Sequence, residues 1–180
     1  PTGRDPVRAA AVQRYATYVH AYDGRRTYRV AAGAPGDNYR WTEVLVREAG
    51  SMMEAVDLHH YTLAGNWTVK GDAVEFDEGG WFSAMRAAWD VETLIDGHAA
   101  IMDRFDPEKR VALMVGEWGM WHDPAPGTNP GFLEQQNTLR DALVAALQLN
   151  IYNNRADRVR AANIAQTVNV LQAMEIGRAS

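Results

Sequence analysis

The sequence has no cysteine, only two lysines among its 18 basic residues, and no apolar run near the ~18–20 residues of a membrane-spanning helix. Without cysteine, neither disulfides nor thiolate metal sites can form, which fits a reducing compartment. The net charge of −5 provides no basic surface for nucleic acid or anionic lipid. The first residues also lack the apolar segment of a secretory signal. We therefore expect a cytoplasmic protein that binds neither nucleic acid nor membrane.

The 180 residues carry an alternation of helical and strand-like patterns. The strand at 110–117 is apolar on both of its faces, as in parallel sheets covered by helices. This predicts an α/β fold, either an open doubly wound sheet or part of a (β/α)8 barrel. The glycine-rich turn at 33–36 lacks the spacing of a nucleotide site, and a full barrel needs about 250 residues. A partial (β/α)8 TIM barrel is the better fit. The predicted helices cover 5–22, 39–49, 81–105 and about 130–147, and the predicted strands cover 27–33, 55–61, 110–117 and 159–168.

Unusual polar and aromatic residues gather where three predicted strands end, at 59–61, 117–121 and 163–166. In both architectures the chemistry lies at the carboxyl ends of the strands. Glu117 ends an apolar strand and is followed by Trp118 and Trp121. Aromatic faces stack on sugar rings, and a carboxylate attacks or stabilises an oxocarbenium-like centre. The pattern therefore favours carbohydrate chemistry.

Several of these segments resemble the α-L-arabinofuranosidases of glycoside hydrolase family 51. The resemblance covers about residues 10–173. Its blocks are RYATYV at 14–19, DLHHYT at 57–62, VGEWGMW at 115–121, GTNPGFLEQQNTLRDA at 127–142 and ANIAQTVNVLQ at 162–172.

The resemblance implies a retaining, exo-acting glycosidase on a (β/α)8 barrel with an added β-sandwich. By the same resemblance Glu117 matches the nucleophile, and His59 and Tyr61 match residues that hydrogen-bond around it. Trp121 matches a residue lining the sugar site, and Gln166 matches a sugar contact. The implied substrates are arabinofuranosyl-containing oligosaccharides, with no cofactor, and the implied assembly is a homo-oligomer, a hexamer.

The sequence departs from the family pattern at Gly116, where aspartate is usual, and at His60, where tyrosine is common. The family's acid/base glutamate follows an asparagine, and no Asn-Glu pair occurs here. Residues 1–174 therefore correspond to the C-terminal half of the catalytic barrel, about helix 4 through strand 8, with a short tail at 175–180. We expect the acid/base half and the β-sandwich to be absent, and the isolated chain to be inactive.

Two other functions remain open. The chain could be a non-catalytic half-barrel that needs a partner chain, or a retaining glycosidase of another substrate class. A metal site is not expected, since His59 and His60 point to opposite faces of a strand and no H-x-H or H-E-x-x-H pattern includes His122 or Glu117.

Three further interpretations concern single residue types. The helical spacing of Trp81 and Trp89 predicts core packing. Trp41 and Trp67 lie in loop-rich segments near strand ends, where either a core or a subsite role is open. The arginines at 155, 158 and 160 are expected on a solvated face or at a subunit contact.

Overall fold

The computed structural model describes residues 5–25 and 27–175, in which four α-helices alternate with four β-strands. Two short 3-10 turns also occur, at Gly50–Met52 and Pro130–Phe132. None of the helices in this part of the chain is both long and apolar enough to cross a membrane. The elements are α1 (Asp5–Ala16), β1 (Val30–Ala31), α2 (Tyr39–Ala49), β2 (Ala55–Thr62), α3 (Glu78–Phe105), β3 (Ala112–Met120), α4 (Leu139–Asn154) and β4 (Val159–Ile164).

The four strands form one sheet in the order β1-β2-β3-β4, with β1 parallel to β2. At the start of β3 the Ala112 N–H donates to the Glu54 carbonyl, and after its end the Trp121 N–H donates to the Thr62 carbonyl. Backbone bonds relate β3 and β4 in the same way. The start of each strand is therefore bonded near the start of its neighbour, and its end near the neighbour's end, so the strands are parallel. The predicted α/β class with a parallel sheet is confirmed.

Several predicted boundaries were wrong. The helix α1 ends at Ala16 instead of continuing to residue 22, since the Thr17 hydroxyl donates to the Arg14 carbonyl and the chain turns there. The last helix begins at Leu139, well after the predicted start. Its true signal is Thr-x-x-Asp, in which the Asp141 carboxylate accepts the Thr138 N–H at 2.7 Å. The first and last strands are also shorter than predicted, at Val30–Ala31 and Val159–Ile164.

The chain divides into two compact units. The second unit contains every predicted site residue. Its hydrophobic core includes Ala84, Ala88, Met120 and Val144. The first unit comprises Pro1–Leu58, Leu94–Met114 and Ala156–Ala161, and the second comprises His59–Thr93, Val115–Arg155 and Ala162–Ser180.

In the first unit, Arg158 is buried, so the prediction of a solvated side chain was wrong for this residue. Its Nη1 atom lies 3.0 Å from Asp106 Oδ2 and donates to the Val111 carbonyl at 2.8 Å. Burial raises the pKa of Asp106, but backbone N–H donors and the Arg158 guanidinium outweigh burial and leave the pKa below its usual value. The pair is therefore a buried electrostatic link of this unit.

In the second unit, Trp118 on β3 is buried against Tyr152 on α4, with ring centroids 5.2 Å apart. Trp89 on α3, in contrast, is 56% exposed, and the core prediction was wrong for it. Its indole N–H donates to Glu92, one turn further along the helix. Helical spacing defines a face, but it does not say whether another element covers that face.

Candidate active site

The alternation of side chains along β2 separates the two histidines of the His-His-Tyr segment. His60 packs toward α3, where it interacts with the backbone of Ala87, and burial lowers its pKa. His59 and Tyr61 lie on the other face, as predicted, and both reach Glu117 on β3. The period of two in a strand thus brings together residues of β2 that lie two positions apart.

Glu117 is held by two groups at the same carboxylate oxygen. The Tyr61 hydroxyl donates to Glu117 Oε2 at 2.7 Å, and His59 Nδ1 lies 3.4 Å from this oxygen. The Glu117 side chain remains 44% exposed. The carboxylate is therefore oriented by its neighbours and remains accessible to solvent.

Burial raises the pKa of Tyr61 above its ordinary value, and the hydrogen bond to Glu117 raises it further. The hydroxyl consequently keeps its proton at every physiological pH. Tyr61 is a permanent donor to Glu117 and cannot serve as a base at neutral pH. Its role in this arrangement is orientation of the carboxylate.

Aromatic rings extend outward from this pair. Tyr61 meets Trp121 edge to face, with centroids 5.1 Å apart. Trp121 in turn meets Trp67 edge to face at 5.7 Å, and Lys70 Nζ lies 5.2 Å from the Trp121 ring centroid. The Glu117 carboxylate therefore lies next to a row of aromatic rings, formed by Tyr61, Trp121 and Trp67. This combination suits the binding of a sugar ring.

The segment that carries Trp121 is fixed by side chains from later loops of the chain. The Met120 N–H donates to Gln172 Oε1 at 2.6 Å, and Gln135 Nε2 donates to the Met120 carbonyl at 3.1 Å. Gly119 adopts a φ of +136°, and a Cβ there would lie 3.1 Å from Gln172 atoms. Glycine thus permits both the backbone bend and the close approach of Gln172.

A buried ionic network joins His122, the residue after Trp121, to Arg140 and Asp141 on α4. The sequence did not predict this network. His122 Nε2 lies 2.6 Å from Asp141 Oδ1, and Arg140 Nη2 lies 3.4 Å from His122 Nδ1. Burial raises the pKa of Asp141, but hydrogen bonds from His122 and Thr138 outweigh it, so the pKa lies below its usual value. The only sequence signal was the Thr-x-x-Asp cap, because the other contacts join distant positions.

Gln166 lies just beyond β4, after Ala165, whose N–H donates to the Trp118 carbonyl at 2.9 Å. The Gln166 side chain is exposed and makes no hydrogen bond to another residue in 5–25 or 27–175. The structure brings together four of the five predicted site residues and leaves Gln166 at the same end of the neighbouring strand. Within the described ranges, no cluster of three or more His, Asp or Glu side chains could hold a metal ion.

The chain is similar to a known protein family and to several arabinofuranosidases. Residues 116–179 match the family described as the α-L-arabinofuranosidase C-terminal domain. The intracellular exo-α-L-arabinofuranosidase of Bacteroides ovatus is 45% identical over 162 residues, which are 90% of this chain and 32% of that protein. The intracellular exo-α-(1→5)-L-arabinofuranosidase of Streptomyces lividans is 26% identical over 79% of this chain and 22% of its own length.

Among solved structures, the family 51 arabinofuranosidase of Xanthomonas axonopodis pv. citri superimposes with a TM-score of 0.93 and 48% identity. The match covers 95% of this chain and 35% of that one. The relatives thus define the chain as a segment of glycoside hydrolase type. More specifically, it belongs to the family 51 α-L-arabinofuranosidases. It spans about a third of the length of these two relatives, at 32% and 35%.

Proposed function

We propose that residues 1–174 form the C-terminal half of a (β/α)8 catalytic domain, with a short tail at 175–180. The parallel sheet with its intervening helices supports this architecture, and so does the match to a family 51 arabinofuranosidase at a TM-score of 0.93. In such a barrel the ends of β2, β3 and β4 face the substrate. Tyr61 is the next-to-last residue of β2, Glu117 lies three residues before the end of β3, and Gln166 lies just beyond β4.

The function that this site supports best is hydrolysis of terminal α-L-arabinofuranosyl residues by a retaining, exo-acting enzyme. The observation that carries it is the 2.7 Å hydrogen bond from Tyr61 to Glu117 Oε2, next to the Trp121 ring. Because His59 also approaches Oε2, we assign the attack on the anomeric carbon to Oε1. Attack forms a covalent arabinosyl-enzyme while the bond to the leaving oxygen breaks, and water then displaces the enzyme carboxylate.

Retention requires a second carboxyl group that protonates the leaving oxygen and later activates water. By the family resemblance, that glutamate belongs to a part of the barrel that this sequence does not include. We assign it to a longer chain and expect the isolated segment to be inactive. Trp121 and Gln166 shape the furanose pocket in this proposal. The named relatives support arabinose-containing oligosaccharides or polysaccharides as substrates and an intracellular location. A hexameric assembly follows from the family resemblance alone.

The test uses Glu117→Ala in a protein that contains this segment within the complete barrel, assayed on an aryl α-L-arabinofuranoside. We expect activity to fall by at least about three orders of magnitude, because the covalent step is lost. Azide should restore turnover and give an arabinosyl azide of inverted configuration, since it replaces the nucleophile on the same face. Glu108→Ala is the matched control, because Glu108 is 79% exposed and outside the site.

Activity that survives Glu117→Ala would refute the assignment of the nucleophile. An azide product of retained configuration would instead identify Glu117 as the acid/base group. Cleavage of other glycosides but not of arabinofuranosides would point to a different substrate class on the same barrel. Activity of the isolated segment would contradict the need for a second carboxylate elsewhere.

A further inference from the structure

Trp67 is the outermost ring of the aromatic row that begins beside Glu117. It stands perpendicular to Trp121, with an interplanar angle of 89°, and 65% of its surface is exposed. Trp118, only three positions before Trp121, is 2% exposed and serves the core. Of the two roles left open by the sequence, Trp67 therefore has no core role within this segment.

The turn that presents Trp67 is closed by its own backbone. The Gly65 N–H donates to the Lys70 carbonyl at 3.1 Å, and the Asn66 N–H donates to the Val69 carbonyl at 2.8 Å. A Cβ on Gly65 would lie 2.2 Å from the Val69 carbonyl oxygen, so only glycine permits this closure. Trp67 thus stands at the tip of a tight turn with a defined conformation.

The same turn is anchored to the segment after β3. The two carboxylate oxygens of Asp123 accept the N–H groups of Lys70 and Gly71 at 3.2 and 3.0 Å. Lys70 Nζ donates to the Trp67 carbonyl at 3.3 Å and lies beside the Trp121 ring. These bonds fix the position of Trp67 relative to Trp121 before any ligand arrives.

An exposed tryptophan in a constrained turn offers a large apolar face at little entropic cost on binding. The ammonium of Lys70, which lies beside the neighbouring Trp121 ring, adds a hydrogen-bond donor. Apolar C–H faces with hydroxyl groups at their rims are the chemistry of a sugar ring. We propose that Trp67 forms a binding platform for a second sugar residue of the substrate, next to the residue held at Glu117. This inference rests on the proposed function, since an exo-acting enzyme keeps the terminal sugar at Glu117 and its neighbour on the leaving-group side.

The experiment compares two substrates of the complete-barrel protein that share the terminal sugar and differ only in the group attached to it. Methyl α-L-arabinofuranoside has no second sugar, whereas an α-1,5-linked arabinotriose has two more. Trp67→Ala should lower kcat/KM for the arabinotriose about tenfold, mainly through KM, and change that for the methyl glycoside less than twofold. Trp67→Phe should restore most of the loss, because a smaller aromatic face remains.

Trp89→Ala is the matched control, since this tryptophan is also exposed, at 56%, but lies on α3 and contacts Glu92. It should leave both substrates unaffected. Equal losses on both substrates with Trp67→Ala, or no loss on either, would overturn the proposal. If instead the proposed function is wrong, the wild-type protein will cleave neither arabinofuranoside, or Glu117→Ala will remain active. These results differ from those that would overturn the role of Trp67.

Discussion

Replacing Tyr61 with Phe isolates the contribution of one hydrogen bond to the candidate site. The substitution removes the hydroxyl that donates to Glu117 Oε2 at 2.7 Å and keeps the ring that meets Trp121 at 5.1 Å. His59 then remains beside the carboxylate oxygen, at 3.4 Å. Any loss of activity therefore reports on the orientation of Glu117, with the aromatic packing preserved.

The magnitude follows from the exposure of the acceptor. A hydrogen bond to a charged group contributes about 1.5–3 kcal/mol. Since the Glu117 side chain is 44% exposed, water replaces part of the lost bond, and the lower end applies. A cost of about 1.5 kcal/mol in transition-state stabilisation corresponds to roughly a tenfold fall in kcat/KM. We expect it mainly in kcat, because orientation of the nucleophile matters most during attack.

The assay measures kcat and KM on an aryl α-L-arabinofuranoside with the complete-barrel protein. Tyr152→Phe is the matched control: its hydroxyl is buried and has no hydrogen-bond partner among the residues that the structure describes. Removing that hydroxyl should leave activity unchanged and keep or slightly raise the melting temperature. Full activity of Tyr61→Phe, or an equal loss with Tyr152→Phe, would refute the reasoning.

Two further predictions concern the buried pair of the first unit. Arg158→Ala should lower the free energy of unfolding in urea by about 3 kcal/mol. Asp106 then loses its buried guanidinium partner and keeps only the exposed Arg110, whose Nε lies 3.4 Å from its Oδ1. Arg160→Ala, at an exposed site, should change the free energy by less than about 0.5 kcal/mol. Equal effects of the two substitutions would contradict the assignment. The lowered pKa of Asp106 contributes stability that is present above its usual value of 3.8 and is lost as the pH falls through the lower folded value. The fall in unfolding free energy below about pH 4 should therefore be smaller in Asp106→Asn, and an unchanged pH slope would argue against this linkage.

Much of the fold could be read from local patterns. The helix α2 was predicted at its observed bounds of Tyr39–Ala49, where apolar residues recur at helical spacing and Asn38 caps the start. The strand β3 was recognised as part of a parallel sheet because both of its faces are apolar. Its observed end at Met120 lies beyond the prediction, because backbone pairing continues past the apolar run.

Part of the site could also be predicted from the sequence. His59 and Tyr61 lie on one face of a strand by the period of two, and this holds whatever surrounds the strand. Their distance to Glu117 could not be predicted from the sequence, because it depends on the register between β2 and β3. The family resemblance supplied the pairing in its place.

Spacing along one chain is enough to define the order of the elements, the faces of the strands and the residues at their carboxyl ends. Which of those faces are covered depends instead on the tertiary structure. Arg158 can be buried because Asp106 pairs with it there, and Trp67 is exposed on a turn that is closed at Gly65. Burial and exposure depend on contacts between distant positions, and a single sequence does not encode those contacts in any local pattern.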